Sequence, residues 1–129
     1  MRHRLERAAA GLRYASESDF PFSYVDLPAT AHAPLTDAAF RAAAGVAADA
    51  AVEQRTLDEF FARHIERVDP NDAAAVALVP RYRRLRELLR RSVRGATVFR
   101  VGQIAVQCYI VGVDRRGHVV GLVTTAIET

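Results

Sequence analysis

Residues 96–129 read ATVFRVGQIAVQCYIVGVDRRGHVVGLVTTAIET, and the period of this stretch decides the fold class. In TVFRVGQ, IAVQCYIVGV and HVVGLVTTAIE the pattern repeats every second residue, and Val, Ile and Thr dominate. Such side chains favour extended backbone because their branched Cβ packs well on a pleated surface. Asp114 to Gly117 separates the last two runs as a hairpin turn would, with Gly117 suited to the positive φ that tight turns need. Consecutive antiparallel strands are therefore predicted. Cys108 alternates with Val106 and Ile110 in the middle run, which makes it a small core residue rather than a nucleophile. As the only cysteine it forms no internal disulfide, and redox chemistry is not expected.

Upstream the period becomes helical. From about residue 71 to 93, Val79, Tyr82, Leu85, Leu89 and Val93 recur at helical spacing, placing the arginines at 83, 84, 86, 90, 91 and 94 mostly on the flanks and the wet side. Pro80 either kinks this helix or marks its first turn. Thr56, with Glu59 three residues on, reads as a capping box for LDEFFARHIERV, in which Leu57, Phe60, Phe61, His64 and Ile65 line one face. Residues 46–55 are ambiguous, since their alanines favour helix and their alternation favours strand. DAAFRAAAG is a brief helix from Asp37 closed by Gly45, PATAHAPLT is a loop, and FSYVDL alternates as a half-buried strand does. Arg2 to Leu12 is a short amphipathic helix carrying Leu5, Ala8, Ala9 and Leu12 at helical spacing. These elements predict an α+β fold, an antiparallel sheet with helices covering its faces, in one domain spanning 1–129.

Composition narrows the function classes. No run of apolar residues approaches the length of a membrane span, and the first 19 residues carry arginine and glutamate where a signal peptide keeps its apolar centre, so a soluble, cytoplasmic protein is expected. All 18 basic residues are arginine, and the net charge is +3. The excess is local. Residues 1–80 hold 8 Arg against 12 acids, residues 81–94 hold 7 Arg against Glu87, and residues 95–129 hold 3 Arg against 2 acids. A basic helix on a mildly acidic remainder is weak support for a nucleic-acid partner, and a solvated arginine face paired through Glu87 is the simpler account.

Catalytic motifs are missing. His3, His32, His64 and His118 fall on different elements, and none is spaced with another His, Cys or carboxylate as a zinc site requires. The sequence contains no G-x-S-x-G elbow, Walker loop or dinucleotide fingerprint, so an enzyme is not expected. DRRGH, Asp114 to His118, is similar to the D-R-G-H signature of metal-dependent nucleases, but an extra arginine breaks the spacing and the segment reads as a turn.

One loop asks for another explanation. YASESDFPFSYVD, Tyr14 to Asp26, frames Glu17 and Asp19 closely with aromatics. Ser16 to Asp19 fits an S-x-x-D cap, but Pro21 removes a donor from the following turn, so at most a single turn forms. GLRYASESDFPF, residues 11–22, together with the closing strand ending Glu128-Thr129 and the LDEFFARHIERVD helix, resembles the nuclease A inhibitor family, with its G-L-x-Y/F-x-S-E-S-D/E-Y/F-P-F element and terminal E-T. The resemblance covers nearly the whole chain.

This resemblance implies an α/β/α sandwich and an inhibitor of sugar-non-specific, metal-dependent endonucleases of the D-R-G-H type, acting as a monomer in a one-to-one complex. It implies three partner-binding residues: Glu17, the glutamate of S-E-S, as a phosphate mimic; Thr129 as a contact to the partner nuclease's magnesium ion; and Asp69 of RVDP as a further acidic contact. Asp69, before Pro70, also reads as an ordinary turn residue, and Ser16, Ser18 and Asp19 read as shaping the loop. No cofactor of the chain's own is implied. The alternatives are a non-specific nucleic-acid-binding domain using the Arg81–Arg94 helix and a family fold without inhibitory activity.

Overall fold

The three period-two runs form a meander, β5 (Arg94–Val101), β6 (Ala105–Val113) and β7 (Val119–Ile127), in a computed structural model that describes residues 1–128. β4 (Val52–Arg55) adds to the free edge of β5 and β3 (Ser23–Leu27) to that of β7, giving an antiparallel sheet of order β3-β7-β6-β5-β4. Four helices accompany it among the described residues: α1 (Arg2–Ala9), α2 (Asp37–Ala44), α3 (Leu57–Ile65) and α4 (Ala73–Ser92). To pass from β3 to β4 the chain crosses one sheet face through α2. To pass from β4 to β5 it crosses the other through α3 and α4.

Side-chain alternation sorts the core accordingly. Val98, Cys108, Ile110 and Leu122 point from the sheet into a cluster with Leu5 of α1, Phe60 and Phe61 of α3, and Leu85 and Leu89 of α4. Phe99, Val111, Val113 and Val119 point to the opposite side, where Phe40 of α2, Ala31 and Leu35 cover them. Helices thus lie on both faces of the sheet, as expected. Large side chains of this kind contribute roughly 1.5–3 kcal/mol each when fully buried. Phe40 stacks on Phe99 with ring centres 4.2 Å apart, and its loss would leave a cavity on the face covered by a single helix.

Local chemistry sets the element ends. Thr56 Oγ1 accepts from Glu59 N at 3.0 Å while Glu59 Oε1 accepts from Thr56 N at 2.8 Å, completing the capping box. Gly45 closes α2 at φ 69°. Beyond it, Arg41 Nη1 donates to the carbonyls of Ala47, Ala48 and Ala50. Their engagement outside a helical ladder resolves the ambiguous 46–55 stretch into a turn and then β4. Asp72 caps α4 through Oδ1, which accepts from Ala75 N at 3.0 Å. Pro80 lies inside α4 and not in its first turn. Arg94, expected at the end of that helix, instead opens β5, because the helix ends at Ser92. A small hairpin, β1 (Arg13–Tyr14) with β2 (Phe20–Pro21), was not anticipated.

Candidate functional site

The loop between β1 and β2 carries Ser16, Glu17, Ser18 and Asp19, and its backbone is tied on two sides. On the sheet side, Ser16 Oγ accepts from Ile127 N at 3.0 Å and donates to Ser18 O at 2.6 Å, while Glu17 N donates to Ile127 O at 3.3 Å. On the helix side, Ala15 N donates to His64 Nε2 at 3.2 Å, and Arg63 donates through Nη1 to Ala15 O. Arg13 Nη1 donates to Asp19 O at 3.2 Å. The S-x-x-D pattern caps no helix, since the Ser16 hydroxyl is engaged with Ser18 and β7.

His64 is the residue whose role the sequence concealed. Its periodicity places it on the apolar face of α3, and there it stacks on Tyr82 at 4.1 Å and meets Tyr14 edge-on at 5.6 Å. Burial first, and the neighbouring Arg63 second, push its pKa down to about 4, against a smaller opposing pull from Asp19. At neutral pH the ring is uncharged, so Nε2 can accept the Ala15 N–H. A protonated ring would present a donor to a donor. Tyr14, which opens the loop, is buried and stacks on Phe60 at 4.2 Å.

Beside the loop a cleft of about 750 Å³ opens toward the end of α3 and the start of α4, and Ser16, Asp19, Arg63, Arg67, Asp69 and Asp72 line it. Asp69 is exposed, and its Oδ1 accepts from Asn71 N at 2.9 Å. It therefore serves the turn, as its position before Pro70 suggests, and also faces the cleft that the loop borders. Glu17 is exposed on the same loop, next to the last residue of β7. Glu128 N donates to Ile104 O at 2.8 Å, and its carboxylate engages Arg100. Ile104, on the β5–β6 turn, is 63% exposed. Sequence patterning gave no signal for this apolar tip beside the strand end. Thr129 lies outside the described residues.

The other segment that resembled a functional motif has a structural explanation. Asp114 is 7% exposed, and its Oδ1 accepts from Arg116 N at 2.8 Å and His118 N at 3.0 Å. Arg116 bridges Asp114 and Asp26 at 2.8 and 2.6 Å, and His118 Nδ1 lies 2.9 Å from Asp26 Oδ1. Burial pushes the Asp114 pKa up, but the Arg116 hydrogen bond and the two backbone donors outweigh it and leave the pKa below its ordinary value. DRRGH is a turn that closes the β6–β7 hairpin and clamps it to β3. Cys108 is buried, and burial pushes its thiol up to about 11, which keeps it protonated. Among the described residues no group of three or more His, Cys, Asp or Glu could hold a metal ion, and no helix is long and apolar enough to cross a membrane.

A sequence model of the family described as nuclease A inhibitor-like protein matches residues 1–129. A search of curated proteins finds no match.

Proposed function

Since the chain belongs to the nuclease A inhibitor-like family, whose sequence model it matches over residues 1–129, we propose that it blocks a metal-dependent, sugar-non-specific endonuclease of the D-R-G-H type by occupying the active site. Such enzymes hold nucleic acid by its phosphates in a basic groove and activate water on a magnesium ion. Glu17 takes a phosphate position. A carboxylate there receives the same charge-assisted hydrogen bonds as the substrate but offers no bond to cleave. Thr129 supplies an oxygen ligand to the partner's magnesium, displacing a water, and Asp69 contacts the basic rim. The protein is not itself an enzyme. It acts in the cytoplasm as a monomer in a one-to-one complex.

The observation that carries this reading is the seam between the loop and the last strand. Two hydrogen bonds at 3.0 and 3.3 Å fix Ser16 and Glu17 against Ile127, so the two elements that the family resemblance singles out lie side by side. Asp69 lines the cleft on the loop's other flank. A pre-ordered loop binds without the entropic cost of ordering its side of the interface.

Activity titration tests the reading. Increasing amounts of the protein added to a D-R-G-H nuclease should abolish DNA cleavage near one equivalent. Flat titrations against several such nucleases would mean a family fold without inhibitory activity. Thr129→Val should raise the dissociation constant of the complex while the nuclease holds magnesium and leave it little changed once the metal is removed.

A further inference from the structure

Five of the six arginines of α4 fall into two sets that the sequence alone could not separate, and the sixth, Arg83, lines a neighbouring shallow pocket with Pro80 and Glu87. One set is neutralised. Arg86 lies 3.3 Å from Asp58 and 3.2 Å from Glu66, and Arg90 lies 3.0 Å from Asp58 and also pairs with Glu87. The other set turns toward α1. Arg81, Arg84 and Arg91 line a groove of about 640 Å³ together with Arg4 and Arg7, over a floor of Ala8 and Leu88. No acid lines it among the described residues. The acids on these two helices are engaged elsewhere: Glu6 with Arg2 at 3.1 Å, and Glu87 with Arg86 and Arg90.

Arg81 helps to build the groove. Its Nη2 donates to the carbonyls of Ala8 at 3.4 Å and Ala10 at 2.6 Å, which fastens the end of α1 to α4. Arg4, Arg7, Arg84 and Arg91 have no carboxylate partner among the described residues. Converging like charges repel one another, and a bound anion removes that repulsion.

We propose that the α1–α4 groove is a binding site for the phosphodiester backbone of a nucleic-acid strand. Arg81 and Arg91 stand roughly 15 Å apart along the helix axis at 1.5 Å per residue, long enough to follow consecutive phosphates of one strand. Guanidinium groups match phosphate oxygens in bidentate geometry. No aromatic side chain lines the groove, so bases are neither stacked nor read and binding is independent of sequence. The groove shares no lining residue with the cleft beside the Ser16–Asp19 loop. The inhibitor's nuclease-facing end and its strand-holding groove are thus separate surfaces, and the proposal does not depend on the inhibitor reading.

The test omits the nuclease. Binding of the full chain to labelled single-stranded and duplex 20-mers is followed by fluorescence anisotropy. One phosphate neutralised by each of Arg4, Arg7, Arg84 and Arg91 predicts a loss in affinity of roughly fiftyfold for the single strand and about 150-fold for the duplex between 50 and 200 mM salt. Arg84→Gln with Arg91→Gln, both at exposed positions, should weaken binding at 50 mM salt by about tenfold or more and flatten the salt slope by about 1.5–2. Arg90→Gln with Arg115→Gln removes the same charge outside the groove and should change affinity less than threefold. Three outcomes would overturn the proposal: no binding at 50 mM salt, an equal loss in the two double variants, or competition by polyglutamate as effective as by unlabelled DNA. The last would assign the groove to an acidic protein instead.

Discussion

Two polar turns in this protein each resemble a functional signature, and they are built in opposite ways. In the Asp114–His118 turn the carboxylate is the scaffold: Asp114 is buried, accepts two backbone N–H groups and pairs with Arg116. In the Ser16–Asp19 loop the scaffold includes a serine hydroxyl, backbone amides, an arginine and an imidazole, and Glu17 stands exposed. An acid that holds its own turn cannot also be presented to a partner without loosening the fold. A loop anchored through its backbone and a serine hydroxyl can present an exposed acid to a partner. The contrast predicts that substitutions in the two turns separate stability from inhibition.

The largest effect is expected at Glu17. Glu17→Gln retains shape and removes charge, and losing one desolvated charge at an interface costs about 2–5 kcal/mol, roughly thirtyfold to several thousandfold in affinity. The melting temperature should stay within about 2 °C of the parent, a shift small on the scale of a 1 kcal/mol change. A matching drop in stability would mean that Glu17 holds the loop, and the comparison would fail. Asp114→Ala should do the reverse. Leaving two half-buried amides and Arg116 without their acceptor should cost about 1–3 kcal/mol of folding stability in denaturant titrations, while the dissociation constant for the nuclease changes little below the melting transition.

Acidification sharpens the comparison through His64. Its folded pKa, about 4, lies below the ordinary 6.5. Between those values the unfolded chain binds the proton and the folded one does not, so stability falls as pH drops from about 6.5 to about 4 and levels off below. A shift of that size corresponds to roughly 3 kcal/mol, and solvent screening at a partly exposed ring reduces it to about 1–2 kcal/mol. His64→Phe should flatten this pH dependence and loosen the loop, seen as faster amide exchange at Ala15. An unchanged pH profile would remove His64 as the anchor. The smallest effects are expected at Asp19→Asn and Asp69→Asn, each less than tenfold in affinity. At Asp69 the neutral amide can still accept the Asn71 N–H.

Strong periodicity made most of the scaffold legible. The β5–β7 meander and the turn from Asp114 to Gly117 follow from period-two runs and one glycine, and the α3 capping box follows from Thr56 and Glu59. Residues 46–55 were ambiguous because alanine suits either state, and the outcome rests on Arg41 reaching across to three carbonyls. The β1–β2 hairpin has two-residue strands, too short to carry a period. At the candidate site, the Ser16–Asp19 motif was readable, but its anchoring was not. His64 has the spacing of a core residue, and only the folded chain brings it to Ala15. The division of the α4 arginines was hidden for a similar reason, since it depends on where α1 packs.

Competition for the nuclease's catalytic centre tests the account most directly. The dissociation constant of the complex with a D-R-G-H nuclease is measured at increasing concentrations of a short uncleavable dinucleotide that occupies the active site. The apparent constant should rise in proportion to dinucleotide occupancy, because Glu17 and the scissile phosphate claim the same position. A constant that stays unchanged while the dinucleotide saturates the enzyme would place the inhibitor elsewhere on the nuclease and contradict phosphate mimicry.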